Sequence, residues 1–314
     1  MWESLFKLGG ELDGRMRWIL GLAGALILLL LWTVLAEAFS EERLDPLESP
    51  VSVSDRTYLE NDSLLRNDYD LLLAKPLDEL ATLGLTKNKV YPTLPTPLQT
   101  LRSYKELHFE DYLLANSFKS IWLNLLGYLV AIGISIPLGF LLGLVPLFGG
   151  LFRKTFDAFR FIPLTAVTGI FVMWLGLDSP MKVAFLAFGI IVYLVPVVVQ
   201  RIEEVDDVYL KTVFTLGATN WQKIRSVYLP SVLSRLSDDI RVLTAISWTY
   251  ITIAEMLNRS GGIGELIWIA RRQSRLDKAF AVLIVIVIIG ILQDRLFVGL
   301  DRLLFRHKYV QEKK

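Results

Sequence analysis

KTVFTLGATNWQKIRSVYLP, residues 211–230, is a polar stretch set between two apolar runs. It reads as a helix, a glycine break, a second short helix and a proline stop. Gly217 is the break, because glycine adopts the left-handed conformation that ends helices at little steric cost. Thr219 and Gln222 have the spacing of a capping box, in which each side chain bonds the other's backbone N–H and starts a helix. Trp221, Ile224 and Tyr228 then share one helical face. Pro230 lacks a backbone donor and is expected to end that helix. So short a knuckle has little of its own to bury against. Its apolar face either docks on another protein or lies as an amphipathic hairpin on the membrane surface. Docking is the expectation carried forward.

Outward from this stretch the chain is strongly apolar. Of its 314 residues 53% are hydrophobic, and the mean hydropathy is +0.47. This is the composition of a polytopic membrane protein. The formal net charge of +1 gives no electrostatic case for a nucleic-acid partner. There is no cysteine, which excludes disulfides and thiolate chemistry, and the two histidines, His108 and His307, lie in separate polar regions. Neither a metal site nor a Ser-His catalytic unit is expected from so few ligating side chains.

A spanning helix needs about 20 mostly apolar residues. Six segments qualify: residues 18–36, 121 to about 146 (with Pro137 inside), 161–177, 183–200, 242 to about 257, and 279 to about 300. The fifth carries Glu255 near its end, and the sixth carries Gln293, Asp294 and Arg295, as expected for helices packed against protein. Lysine and arginine set the orientation. Lys7, Arg15 and Arg17 precede the first span. Arg153, Lys154 and Arg160 lie between the second and third, and Lys211, Lys223, Arg225 and Arg235 between the fourth and fifth. Arg302, Arg306 and Lys308 follow the sixth. With six spans these groups fall on one side, which is expected to be cytoplasmic and to hold both termini and the knuckle. Arg271, Arg272, Arg275 and Lys278 fall on the other side, against the rule. Arg15, Arg17 and Ala36-Glu37-Ala38 also have the layout of a cleaved signal peptide. The apolar stretch is long for one, so a retained anchor is expected.

Residues 40–112, between the first two spans, are polar and carry more acids than bases. Leu71-Leu72-Leu73, and Leu77, Leu80 and Leu83, hint at short helices; the remainder reads as loop. A loop of this length is functional or disordered. It serves either as a small cap over the outer mouth or as a docking surface for a substrate-binding protein.

The spacing Gly217, nine residues, Val227, one residue, Leu229-Pro230 resembles the so-called EAA loop of ABC importer permeases, which docks into a cytoplasmic ATPase. The Glu-Ala-Ala that opens that motif falls here at Lys211-Thr212-Val213, with Glu203, Glu204, Asp206 and Asp207 just upstream. Leu94-Pro95-Thr96-Pro97, Ile136-Pro137-Leu138-Gly139, Phe161-Ile162-Pro163, Trp174-Leu175-Gly176, Ala254-Glu255-Met256-Leu257, Gly261-Gly262-Ile263-Gly264 and Asp294-Arg295 resemble the nitrate-, sulfonate- and taurine-type permeases. The resemblance runs over about residues 92–306 and leaves the segment before it unexplained. It implies an all-α membrane protein with the type I importer permease fold. The N-terminal cytoplasmic end and first helix would occupy 1–39, an enlarged extracytoplasmic segment 40–112, a permease core 113–306 with five transmembrane helices and coupling loop 203–235, and a cytoplasmic tail 307–314. It implies Gly217, Ala218, Trp221, Ile224, Val227, Leu229 and Pro230 as ATPase-coupling residues. It further implies a permease pair in the lipid of the inner membrane, two ATPase subunits that bind ATP and Mg, and a solute-binding protein. The chain itself would hold no cofactor, and no Gly-x-x-x-x-Gly-Lys-Ser/Thr occurs in it. The cargo by resemblance is a small anion such as sulfonate, nitrate or bicarbonate.

Polar groups within spans need partners or water. Asn124, Ser135, Thr165, Thr168 and Ser247 read as structural, through hydroxyl or amide bonds to their own or neighbouring helices. Thr249, Thr252 and Glu255 are spaced by three and share a helix face. They are the candidate lining of a translocation path, with Glu255 paired to Arg259 or at the outer rim. Gly261-Gly262-Ile263-Gly264 reads as a sharp outer turn before a short helix at 265–275. Gly127, Gly133, Gly139 and Gly143 permit close helix contact, within one subunit or between two. A membrane-embedded enzyme would need convergent His, Cys or paired carboxylates in the spans, and these are nearly missing. A passive channel would leave the capped knuckle without a role.

Overall fold

The computed structural model describes residues 13–46, 75–77, 80, 85–258, 260–306 and 308. The expected short helices around Leu71-Leu72-Leu73 and Leu83 lie outside the described residues. The chain divides into two compact units, Met1–Leu107 with Ile269–Ala281, and His108–Trp268 with Val282–Lys314.

The first unit opens with α1, Gly14–Ala38, whose apolar side chains are nearly all exposed. That is the surface of a helix made for lipid. Trp32, near its end, donates its indole N–H to Pro95 O at 2.9 Å and lies against Phe280. Residues 40–112 are less loop-like than the sequence reading held. Strands β1, Glu41–Pro46, and β2, Leu85–Val90, pair antiparallel from Glu41↔Val90 to Pro46↔Leu85. This ribbon escapes a pattern search because its strands are charged and lack a clear alternation. Glu37 ties it to α1, accepting from Lys89 and from Tyr91 Oη. Helix α2, Pro97–Phe109, begins with a capping box: Thr96 Oγ1 accepts from Gln99 N–H and Gln99 Oε1 from Thr96 N–H. Ser103 and Tyr104 donate to the carbonyls of Asp277 and Ala281 at 3.2 and 2.9 Å. Glu106 pairs with Arg275 at 2.9 Å and Lys278 at 3.3 Å. Two of the four cations that break the orientation rule are therefore structural partners of α2.

The second unit is a helix bundle. Helix α3, Leu113–Leu144, runs through Pro137 and packs along α6, Ser179–Glu203. A Cβ on Gly127 would lie 2.6 Å from Leu186, one on Gly139 2.5 Å from Val198, and one on Gly143 2.8 Å from Ile202. Three of the four expected contact glycines thus let α3 and α6 approach within one chain; Gly133 faces open space. Leu142, Val195 and Val199 close one end of this contact, and Met181, Phe185 and Ala254 join α6 to α9 at the other.

The expected third span at 161–177 is not one straight helix. Helix α4, Pro146–Phe159, and helix α5, Leu164–Leu175, meet at 104°, and α5 has only 12 residues. At 1.5 Å per residue such a helix covers about 18 Å, short of a bilayer. Pro163 breaks the run, since it is non-helical at the cap of α5. Among the described residues five helices are long and apolar enough to cross a membrane, or six if this bent pair counts as one span. After α6 come α7, Asp207–Thr215; α8, Asn220–Lys223; a π-helical turn, Ile224–Tyr228; α9, Leu229–Asn258; α10, Ile263–Arg272; and α11, Leu276–Leu304.

Candidate functional site

The knuckle forms much as its residues dictate. Asp206 caps α7, accepting from Val208 N–H at 2.8 Å. Gly217 sits at φ +72° with open space where a Cβ would be, so a side chain there would be strained by backbone conformation alone. Thr219 and Gln222 make the reciprocal capping box that starts α8. The acidic residues ahead of α7 are largely engaged within the chain. Glu203 pairs with Arg153, and Glu204 accepts from Arg201 at 2.6 Å. Arg201 also grips Asp239 of α9 through two bonds of 2.7 Å, the bidentate geometry that suits guanidinium. The Arg201 guanidinium holds the Glu204 carboxyl below the usual carboxylate range, against a small opposing effect of burial.

Of the seven expected coupling residues, Gly217, Trp221 and Pro230 are exposed, Ala218, Ile224 and Leu229 half-buried, and Val227 buried. Trp221 is 68% exposed, but Leu216 at 78% and Phe214 at 70% stand out further, with Val208 and Tyr209 close behind. Sequence reasoning missed these four. The signal was available in α7, whose apolar residues follow the helical period, but only its last turns entered the motif.

Pro230 does not stop the helix, contrary to expectation. α8, the π-turn and α9 run on as one span-length helix, residues 220–257. Leu229 N–H bonds Ile224 O, five residues back. The ladder is already out of α register when the proline, which has no N–H to give, arrives.

At the other end of α9 lies a buried polar clamp. Glu255 is wholly buried; it accepts Ser120 Oγ–H at 2.7 Å and Gly264 N–H at 2.9 Å. Ser120 Oγ accepts Ile263 N–H at 2.8 Å, and Asn116 Oδ1 accepts Gly262 N–H at 2.8 Å. Lys182, also wholly buried, donates to Gly261 O at 2.8 Å, and Lys119 donates to Ser260 O. Side chains of α3, α6 and α9 thus satisfy the backbone of a buried turn that has no ladder of its own. Gly261 and Gly262 have φ of +85° and +113°, and a Cβ on Gly262 would run into the Glu255 carboxylate.

The Thr249, Thr252, Glu255 stripe does not present one surface. Thr249 is exposed, Thr252 is half-buried with its hydroxyl donating to Trp248 O at 2.7 Å, and Glu255 points into the clamp. Arg259, considered as its partner, lies outside the described residues. Asn124 accepts from Ser247 at 3.0 Å, and Thr168 bonds back to Thr165 O; these are helix-internal and helix-joining bonds. No group of three or more His, Asp or Glu side chains able to hold a metal occurs among the described residues.

Residues 135–306, more than half of the chain, match the family described as binding-protein-dependent transport system inner membrane component. The chain belongs to this family. It is the permease subunit of an ABC importer, a multi-pass inner-membrane transport protein and not an enzyme; ATP hydrolysis belongs to a separate subunit. The permease is 29% identical to SsuC of Bacillus subtilis (strain 168), named for aliphatic sulfonates transport, over 68% of this chain and 77% of that one. It is 26% identical to the nitrate import permease NrtB of Synechocystis sp. (strain ATCC 27184 / PCC 6803 / Kazusa), over 67% and 80% of the two chains. A solved chain of the inward-facing MetNI methionine ABC transporter aligns with TM-score 0.53 at 17% identity, covering 60% of the permease and 94% of that chain. At that identity the likeness concerns the fold, the type I importer permease.

Proposed function

We propose that two copies of this permease form the path for a small anion of the sulfonate or nitrate class, with both termini cytoplasmic. The knuckle at 207–230 docks on the ATPase subunit. The observation that carries this reading is a capped turn that exposes Phe214, Leu216 and Trp221 and continues without a break into a membrane helix. Large aromatic side chains left in water on a rigid support are the anchors that dominate interfaces. Movement of the docked knuckle is delivered along α9 into the membrane, which a floppy loop could not do. ATP and Mg act in the partner ATPase, and a solute-binding protein delivers the anion from outside. The relatives named for sulfonates and nitrate support the anion class. Thr249, Thr252 and Glu255 remain the proposed path element, with exposed Thr249 nearest the path and Glu255 supporting it from the clamp.

Trp221→Ala and Gly217→Val are the test. Both subunits should reach the membrane in normal amounts, yet retain less ATPase on purification and lose stimulation of ATP hydrolysis. Wild-type association and stimulation in both would remove the knuckle as the docking element.

A further inference from the structure

Beneath the exposed apolar side chains of the knuckle lies an open hollow of about 410 Å³. Its wall is apolar, from Leu210, Phe214 and Tyr228, and it holds the charged groups Asp207, Lys211 and Lys223. We propose that this hollow receives a carboxylate side chain of the ATPase subunit, seated between Lys211 and Lys223. The inference rests on the docking reading above and names the chemistry of the partner at that surface.

Four observations carry it. The hollow holds two ammonium groups against one carboxylate. Its internal compensation is weak: Lys211 Nζ is 3.6 Å from Asp207, and both side chains are 77% exposed, a pair that water screens almost completely. Lys223 Nζ lies 5.0 Å from the centroid of Phe214, and no acid pairs with it among the described residues, so its charge stays available. The neighbouring acids that could neutralise the two lysines are already engaged, Glu203 with Arg153, the Glu204 carboxylate with Arg201 and, at 3.5 Å, Arg235, and Asp206 at the cap of α7. An incoming carboxylate would meet two cations over an apolar wall. Docking excludes water there, and charge pairs strengthen as the local dielectric falls. A cationic partner side chain would meet like charge at the same place, so the hollow also selects against the wrong surface.

The purified transporter, permease with ATPase bound, is treated with a water-soluble carbodiimide, which joins an ammonium to a carboxylate only when the two touch. The joined peptides are mapped by mass spectrometry. The expected product links Lys211 or Lys223 to an Asp or Glu of the ATPase. Lys211→Arg with Lys223→Arg should keep association and lose the link, because guanidinium keeps the charge and does not form the amide. Lys211→Glu with Lys223→Glu should weaken association on the order of tenfold at low salt, with normal amounts of subunit in the membrane. The difference from wild type should shrink as salt is raised. If the double Glu variant holds the ATPase as tightly as wild type while Trp221→Ala releases it, the knuckle docks but no carboxylate sits in the hollow, and the proposal is overturned. If Trp221→Ala also leaves association unchanged, the docking reading itself fails.

Discussion

At the scale of single residues, Glu255 shows how far a sequence can be read. A carboxylate inside a span demands partners, and that much was legible from its position. Its actual partners, Ser120 and the Gly264 N–H, come from a helix far away in the chain and from the turn beyond, so spacing along α9 could not name them. The same holds for Lys182, whose place near the start of an apolar run hid its complete burial. The two act on each other electrostatically across the glycine turn. Removing one member loses part of this attraction, with Lys119 still acting on Glu255 and Glu265 on Lys182, and leaves a bonded group of the buried turn without its partner, which costs about 1–3 kcal/mol. Glu255→Gln and Lys182→Met should therefore each lower the thermal midpoint of the detergent-solubilised permease by several degrees. The double variant should recover part of the loss. Additive losses in the double variant would show that the two groups are not coupled.

At the scale of elements, the knuckle was the most legible part of the chain. Its glycine break and capping box involve residues no more than three apart, where local chemistry decides. The proline stop was misread because the wide turn before it is cooperative and has no residue signature of its own. If Pro230 maintains that turn, Pro230→Ala restores an N–H and lets the α register close. Absorbing the one extra residue of the wide turn into the α register rotates the knuckle by about 100° relative to α9. Transport-coupled ATP hydrolysis should then fall while the subunit still inserts. Unchanged coupling would mean that the register of the turn does not matter.

The contact of α2 with the turn before α11 gives a second test at this scale. The Arg275 guanidinium, aided by Lys278 and opposed by slight burial, holds the Glu106 carboxyl below its ordinary range. A depressed folded value stabilises above the unfolded value and is lost as pH falls through the folded one. Thermal midpoints of wild type and Glu106→Gln should therefore differ at neutral pH and converge as pH falls below the usual carboxylate range. A constant gap across that window would assign the effect of the variant to packing.

At the scale of the whole molecule, helix class and the five long spans were legible because about 20 apolar residues in a row leave a polypeptide few alternatives. The bent pair α4–α5 was not, since apolar composition does not say whether a run goes straight through or turns back. That ambiguity decides the parity of the topology. If α4–α5 crosses as one span, six crossings place the β1–β2 ribbon and the tail after α11 on opposite sides of the membrane. If it dips in and returns, five crossings place them on the same side. The positions of lysine and arginine favour six, with the tail cytoplasmic. The absence of cysteine from the chain makes the measurement direct. Asn88→Cys in β2 and Arg306→Cys after α11, both at exposed positions, are treated in intact cells with a maleimide that does not cross membranes. Asn88→Cys should label at once, and Arg306→Cys only after the membrane is permeabilised. Labelling of both from outside would make α4–α5 a re-entrant pair, would move the knuckle to the face opposite the ATPase, and would leave the exposed aromatics of that knuckle without the partner assigned to them.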